Sequence, residues 1–400
     1  MEQSYAKLSL LGELTIATLF LLAIYTPFVC WLGSDDASSS INEKRRLTPL
    51  PPLTGLSSAP HEFSKHFTAY FQDHFGLREW LIHRYQREVQ KRFHASSAAR
   101  VVVQGRNGWL FFAASSLILD ARGNLRFTPE QETSFWKLVT NKQHWLRQRN
   151  INYLLLVAPN KQTIYPEYLP FHSSIESGQT RMDHLLSRIP ASATDALIDL
   201  RELLRAAKSK ARLYAKNDTH WNYFGASLGF AALEEACRKT VASCQPHGPF
   251  TFLDRWQTGP RGDLAVMLGL SEGTTELRPV PDTSHFHARH RNLAPALATL
   301  LTGSQLQPLY TVNPHGHLKV LVLRDSFFNH LKPFANETFA EVLYLWPYSN
   351  ERVLQAFTMA KLDAILQLYR PDLVIEEVVE RSLPSYLLTN REWGSAQENH

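Results

Sequence analysis

The sequence predicts an α/β fold built on a mostly parallel sheet, and three observations carry that expectation. Short apolar runs such as Tyr153-Leu-Leu-Leu-Val157, Lys319-Val-Leu-Val-Leu323 and Asp372-Leu-Val-Ile-Glu376 read as strands buried on both faces. Segments with helical periodicity lie between them, and strands alternating with helices require crossovers covering both faces of a parallel sheet. The run ending at Leu323 continues into Arg324-Asp-Ser326, placing a serine beyond the carboxyl end of a strand, where open α/β sheets put their ligands. The alternative for Asp325 or Ser326 is a helix cap.

Composition narrows the class. The 400 residues, 44% of them hydrophobic, suffice for one large domain or two ordinary ones, and are not those of a disordered chain. A net charge of +5 without a long basic block, apart from Lys44-Arg-Arg46 and scattered arginines over 78–92, argues against nucleic acid. It suits an anionic polysaccharide, a membrane surface or simply a solvated face.

Between Leu14 and Leu32 no charge interrupts an apolar run, which at 1.5 Å per residue can cross a hydrocarbon core of about 30 Å. Lys7 precedes it and Asp35 and Asp36 follow, so the expected topology sends the rest of the chain outward, a single-pass inner-membrane protein with its domain in the periplasm. A cleavable signal peptide competes, but Phe28-Val-Cys-Trp-Leu32 is a poor small-x-small site. No lipobox precedes Cys30. In an oxidising space Cys237 and Cys244 are expected to pair, and no Cys-His spacing suits a metal. No cofactor is expected. The organisation follows: an anchor over 1–33, a proline- and serine-rich stalk over 34–60, and one domain over 61–390.

Along that domain, Phe63 to Phe71 falls on a helical face, and His74 reads as a packed loop histidine. Val101-Val-Val103 and Trp109-Leu-Phe-Phe112 flank Gly105-Arg-Asn-Gly108, a hairpin signal. Thr128-Pro129 with Gln131 opens a helix through a capping box. After Ala196-Leu-Ile-Asp-Leu200, Arg212-Leu-Tyr-Ala215 is a short-strand candidate, and Tyr223 to Arg238 is a helix. Residues 245–318 read as a loop-rich insertion carrying Gly262-Asp-Leu264. Glu341 to Trp346 and Asp372 to Glu376 are further strands, separated by a helix over 353–369, and the last ten residues look frayed.

The chemistry rests on a pairing. A serine hydroxyl is a weak nucleophile until an imidazole takes its proton, and that imidazole needs a carboxylate to fix its tautomer. Asp218-Thr-His220 supplies both, because alternate residues of an extended loop share a side. Asp218, His220 and Ser326 are therefore the candidate triad.

Asp218-Thr-His-Trp-Asn222, Arg324-Asp-Ser-Phe327, Phe71-Gln-Asp-His-Phe-Gly-Leu-Arg78, Gly105-Arg-Asn-Gly-Trp-Leu-Phe111, Pro159-Asn-Lys161, Gly262-Asp-Leu264 and Pro371 to Glu377 with Glu380-Arg381 together resemble the periplasmic alginate O-acetyltransferase family, colinearly from Glu43 to Leu383. The resemblance implies an SGNH-hydrolase-like three-layer α/β/α sandwich and acetyl transfer onto polysaccharide hydroxyls through Ser326, His220 and Asp218. Two departures stand out: many relatives have glycine at the position of Arg324, and no C-terminal carbohydrate-binding domain is evident, which favours the membrane-anchored single-domain branch.

The expected partners are a polysaccharide acceptor and a polytopic membrane acyltransferase as acetyl donor, with no nucleic acid. Candidate groove or oxyanion residues are Arg324, Asn222, Trp221, Lys161, Trp346 and Tyr348, with core packing as the alternative for the tryptophans. An acetylesterase using the same triad and a noncatalytic glycan-binding or scaffold subunit of an export complex are the competing functions.

Overall fold

The computed structural model describes residues 2–32, 39–40, 45–78, 80–82, 84, 101–113, 117–170, 179–257, 262–268, 270, 276–349, 352–353 and 357–390. The expected frayed tail at 391–400 and much of the stalk lie outside them. The chain groups into two compact units, Met1–Ala98 with Val266–Ser271, and Ala99–Ala265 with Glu272–His400.

In the first unit, α1 (Glu2–Leu32) contains Pro27, and its Gly12–Leu32 portion has a mean hydropathy of 1.9, long and apolar enough to cross a membrane. A signal sequence near an N-terminus meets the same description. The second helix, α2 (Pro60–His74), carries the predicted aromatic face. Tyr70 and Phe71 set their rings 6.5 and 5.7 Å from that of Trp31. The backbone at Gly76 approaches so closely that a Cβ there would lie 1.9 Å from the Pro27 carbonyl oxygen, so the position requires glycine. His74 stacks on Tyr70 at 4.3 Å with Nε2 3.0 Å from the Thr48 carbonyl, a packed histidine as expected.

The second unit is organised on a seven-stranded sheet. Its strands are β1 (Asn152–Ala158), β2 (Leu197–Asp199), β3 (Arg289–His290), β4 (Leu309–Val312), β5 (His317–Leu323), β6 (Phe339–Leu345) and β7 (Leu373–Val379), in the order β2-β1-β7-β5-β6-β4-β3. The first five are parallel, β4 pairs antiparallel with β6, and β3 pairs antiparallel with β4 at the edge. Alternate side chains of each strand feed two cores, one per face. Leu154, Leu156, Val320, Val322, Leu373 and Ile375 pack with Phe230 and Leu233 of α4 (Tyr223–Thr240). Tyr153, Leu155, Leu321, Leu323 and Val374 pack with Phe135 and Val139 of α3 (Pro129–Arg147) and with Ile365 of α5 (Met359–Tyr369). This is the predicted three-layer arrangement of helices on both faces of a mostly parallel sheet.

Local expectations meet mixed outcomes. The hairpin forms, Val102–Gln104 against Leu110–Phe112, with Asn107 and Gly108 in left-handed conformation, and the Thr128 capping box closes on Gln131. The region 245–318 is not merely loop. It contributes β3 and β4 to the sheet, a hairpin of Phe252–Gln257 with Glu276–Pro281, and a helix over Pro295–Leu301. The predicted helix over 353–369 begins only at Met359, capped by Thr358, while Tyr348–Ser349 pairs with Arg352–Val353. Cys237, at the last turn of α4, is bonded to Cys244 with a Cα separation of 6.0 Å, in the ordinary disulfide range.

Candidate active site

The Ser326 turn grows from the carboxyl end of β5 and is fixed by β7. Asp325 accepts the backbone N–H groups of Phe327 at 2.8 Å and Val379 at 2.9 Å, while its own N–H donates to Glu377 Oε2 at 3.0 Å. Glu377 is fully buried, and burial followed by the neighbouring Asp325 charge pushes its carboxyl well above the usual range. Asp325 thus takes the capping role at the turn. Ser326 makes no side-chain cap bond, and among the described residues its backbone N–H has no acceptor.

The free hydroxyl meets the imidazole. Ser326 Oγ lies 2.8 Å from His220 Nε2, and His220 Nδ1 lies 2.7 Å from Asp218 Oδ1. The carboxylate at Nδ1 assigns the ring proton there, leaving Nε2 as the acceptor for the serine hydroxyl. Phe327 packs its ring 4.8 Å from that of His220, and His330 lies beyond it at 6.0 Å. Burial, then the proximity of His220, lowers the His330 imidazole to about 4, so it is a neutral neighbour.

The acid-bearing loop is held from two sides. Lys161, 2% exposed, follows β1 and donates from Nζ to the carbonyls of Ala215, Lys216 and Asp218 at 2.8, 3.0 and 2.6 Å. The Lys161 turn is itself tied to the end of β7, since Glu380 accepts the Asn160 N–H and the Thr163 hydroxyl. From the other side the Gly262-Asp-Leu264 segment docks. A Cβ on Gly262 would sit 2.2 Å from the Asn217 carbonyl oxygen, which accepts the N–H groups of Leu264 and Ala265 at 3.2 Å each. Leu264 is fully buried, and Asp263 takes the Thr219 N–H at 2.8 Å.

Asp218, His220 and Asp263 offer ligand atoms within 4.8 Å of one another. Their carboxylate oxygens already accept donors: Nδ1 and N–H of His220 and N–H of Asp263 on Asp218, and N–H and hydroxyl of Thr219 on Asp263. A cation would have to displace these donors, so the arrangement is a hydrogen-bonded cluster around an imidazole.

The family profile described as "SGNH hydrolase-like domain, acetyltransferase AlgX" matches residues 102–380. The chain belongs to this family. The probable alginate O-acetylase AlgJ of Pseudomonas aeruginosa is 29% identical over 196 residues, 49% of this chain and 48% of that protein. That of Pseudomonas putida is 28% identical over 186 residues, 45% of each. The chain thus spans about half the length of the curated relatives it matches. The solved O-acetyltransferase domain of Pseudomonas putida AlgJ is 21% identical with a TM-score of 0.44, over 71% of this chain and 92% of that one.

The six groove or oxyanion candidates are placed as follows, Trp221 taking the core-packing alternative. Trp221 is 1% exposed, donates from its indole to the Phe327 carbonyl and is core. Asn222 caps α4, with Oδ1 accepting the Gly225 N–H and one Nδ2 hydrogen donated to the Arg212 carbonyl. Lys161 is the buried clamp described above. Tyr348 donates to Glu376 at 2.7 Å on the opposite face of the sheet from α4. Arg324, 4% exposed, stacks on Trp346 at 4.6 Å and donates to the Asp325 carbonyl and Asn329, bracing the turn and covering the tryptophan. Five of the six are thus buried, and Trp346 is partly exposed beneath the Arg324 guanidinium. Asp263 and Glu377 are the site residues whose roles the sequence reading left unassigned, although both lie in quoted motifs. A glycine before an acid between apolar residues signals close backbone approach, and paired glutamates in an otherwise apolar strand signal a buried partner.

Proposed function

We propose that this protein transfers an acetyl group, through an ester on Ser326, to hydroxyls of an exported polysaccharide of the alginate type. The observation that carries the reading is the unbroken Asp218–His220–Ser326 relay at the carboxyl end of β5. Membership of an acetyltransferase family agrees with it. In the first step the Ser326 proton passes to His220 Nε2 as Oγ attacks the acetyl carbonyl. The Ser326 N–H is free to steady the oxyanion, and the imidazolium returns the proton to the departing donor group. In the second step a sugar hydroxyl gives its proton to Nε2 and attacks the acetyl-serine, and the proton returns to Ser326 as the new ester leaves. Asp218 holds Nδ1–H throughout.

The α1 helix serves in this reading as a single-pass anchor in the inner membrane, with the catalytic unit in the periplasm. Acyl-coenzyme donors are made on the cytoplasmic side, so the acetyl group reaches Ser326 from a polytopic membrane acyltransferase. The test uses the detergent-solubilised full chain with a chromogenic acetyl ester and a panel of oligosaccharides, read by mass spectrometry. Acetylated oligosaccharide should appear with wild type and vanish with Ser326→Ala or His220→Ala, each lowering turnover by a factor on the order of 10³. Acetate release without acetylated product in the presence of every acceptor would make the protein an esterase, and undiminished activity in folded Ser326→Ala would remove the enzyme reading.

A further inference from the structure

Two carboxylates, not one, converge on the imidazole. Besides Asp218 Oδ1 at 2.7 Å, Asp263 Oδ2 lies 3.5 Å from His220 Nδ1, and Thr219 Oγ1 lies between them at 3.4 Å from that nitrogen. The acids are interlocked through the backbone. Asp263 accepts the Thr219 N–H and hydroxyl, while Asp218 Oδ2 accepts the Asp263 N–H at 3.2 Å. Gly262 and Leu264 seat the segment on Asn217, whose side-chain oxygen accepts from Arg278 at 3.0 Å. His220 and Asp263 side chains are each 18% exposed, so their attraction is only partly screened.

We infer that Asp263 is a second orienting acid of the catalytic histidine, a positioning residue that carries the Nδ1–H when Asp218 is removed and steers it toward Asp218 when both are present. The inference rests on the Ser326 enzyme reading. Its physical content is a shared proton position. With the Asp218 side chain cut to a methyl, a small rotation of the imidazole or of χ2 of Asp263 closes 3.5 Å to bonding distance, and the Thr219 hydroxyl turns with it. A carboxylate that only shaped the loop would not respond to the loss of its neighbour.

A double-mutant cycle on the detergent-solubilised full chain decides the matter, with wild type, Asp218→Ala, Asp263→Asn and the double variant assayed on the chromogenic acetyl ester. Asparagine keeps an oxygen for the Thr219 N–H and removes the charge. Asp263→Asn alone should lower kcat about threefold with KM unchanged, and about thirtyfold or more in the Asp218→Ala background, because there it holds the imidazole by itself. Equal factors in the two backgrounds, or no effect in either, would overturn the inference while leaving the Ser326 reading intact. The second readout is the low-field proton NMR signal of His220 Nδ1–H in the same four proteins. It should persist in Asp218→Ala and disappear in the double variant, and its loss in Asp218→Ala alone would contradict the role. If Ser326→Ala hydrolyses the ester as wild type does, the enzyme reading fails on its own, and the NMR series still decides whether Asp263 holds the ring.

Discussion

Lys161 braces the loop that carries Asp218, its ammonium replacing a water shell with three loop carbonyls, the last of them that of Asp218 itself. Lys161→Met removes the donor and leaves buried acceptors unpaired, at a cost of about 1–3 kcal/mol for each one that water cannot reach. The expected outcome is a folded, less stable protein with kcat lowered about tenfold or more and KM little changed, checked by thermal melting beside ester kinetics. Unchanged kcat in a destabilised protein would confine the lysine to stability. The sequence marks Pro159-Asn-Lys161 as a post-strand loop, the ordinary address of a ligand residue, but whether a lysine there points out or in depends on what lies opposite. The carbonyls of residues 215–218 are more than fifty positions away, and no periodicity reveals them. The hydrogen-bonded arrangement of Asp218, His220 and Ser326 was legible for the converse reason: both its halves are local, an acid and a histidine one residue apart and a serine at a strand end.

At the scale of elements, β7 bears two glutamates in a strand whose seven positions are all buried, and the strand alternation sends them to opposite faces. Glu377 goes to the Ser326 turn. Glu376 goes to a cluster in which Lys142 donates at 2.9 and 3.0 Å and Tyr153, Tyr348 and Tyr386 donate at 2.6, 2.7 and 2.9 Å. Burial pushes the Glu376 carboxyl up, but Lys142 and the tyrosine hydroxyls outweigh it and hold the carboxyl below its ordinary value. Burial pushes the Lys142 ammonium down, and Glu376 offsets this only in part, so the partners point opposite ways on whether the pair is ionised. The convergence of donors on the carboxylate decides for the charged pair.

A carboxylate with a depressed folded value contributes stability that is complete above its unfolded value of about 4.3 and is lost as pH falls through the folded one. Thermal midpoints should therefore drop on acidification below that point, less so in Glu376→Gln, and Lys142→Met should cost about 3–5 kcal/mol at neutral pH by stranding the buried charge. A Lys142→Met protein as stable as wild type would contradict the ionised pair. The strands β1, β5, β6 and β7 were legible because each contains an uninterrupted apolar stretch, Tyr153 to Ala158, Val320 to Leu323, Val342 to Leu345 and Leu373 to Ile375. Leu309-Tyr-Thr-Val312 and Arg289-His290 were not, since strands of four and two residues are defined by their pairing to a neighbour and carry almost no pattern of their own. The helix over 359–369 was drawn too long upstream because a hairpin of two-residue strands has no period to read.

For the whole molecule, the apolar α1 segment and the Cys237–Cys244 bond belong to one argument, because a disulfide persists where the compartment is oxidising. The closed loop is short, with a sequence separation of 7, so chain entropy ascribes to the bond only about 2 kcal/mol. Alkylation of protein taken directly from cells should leave both cysteines unmodified until reductant is added, and reduction should lower the melting temperature by several degrees. Labelling of both thiols without reductant would place the domain in a reducing space and would contradict the outward topology.

The proposed transfer passes through an ester at one oxygen, Ser326 Oγ. The most direct measurement is intact-mass and peptide-level mass spectrometry of the full chain quenched in acid during turnover of an acetyl ester. A single acetyl group on the peptide containing Ser326 is predicted, accumulating further when acceptor is withheld and discharged when oligosaccharide is added. An acetyl group on any other residue that turns over at the same rate, or product formation with Ser326 never acylated, would contradict it.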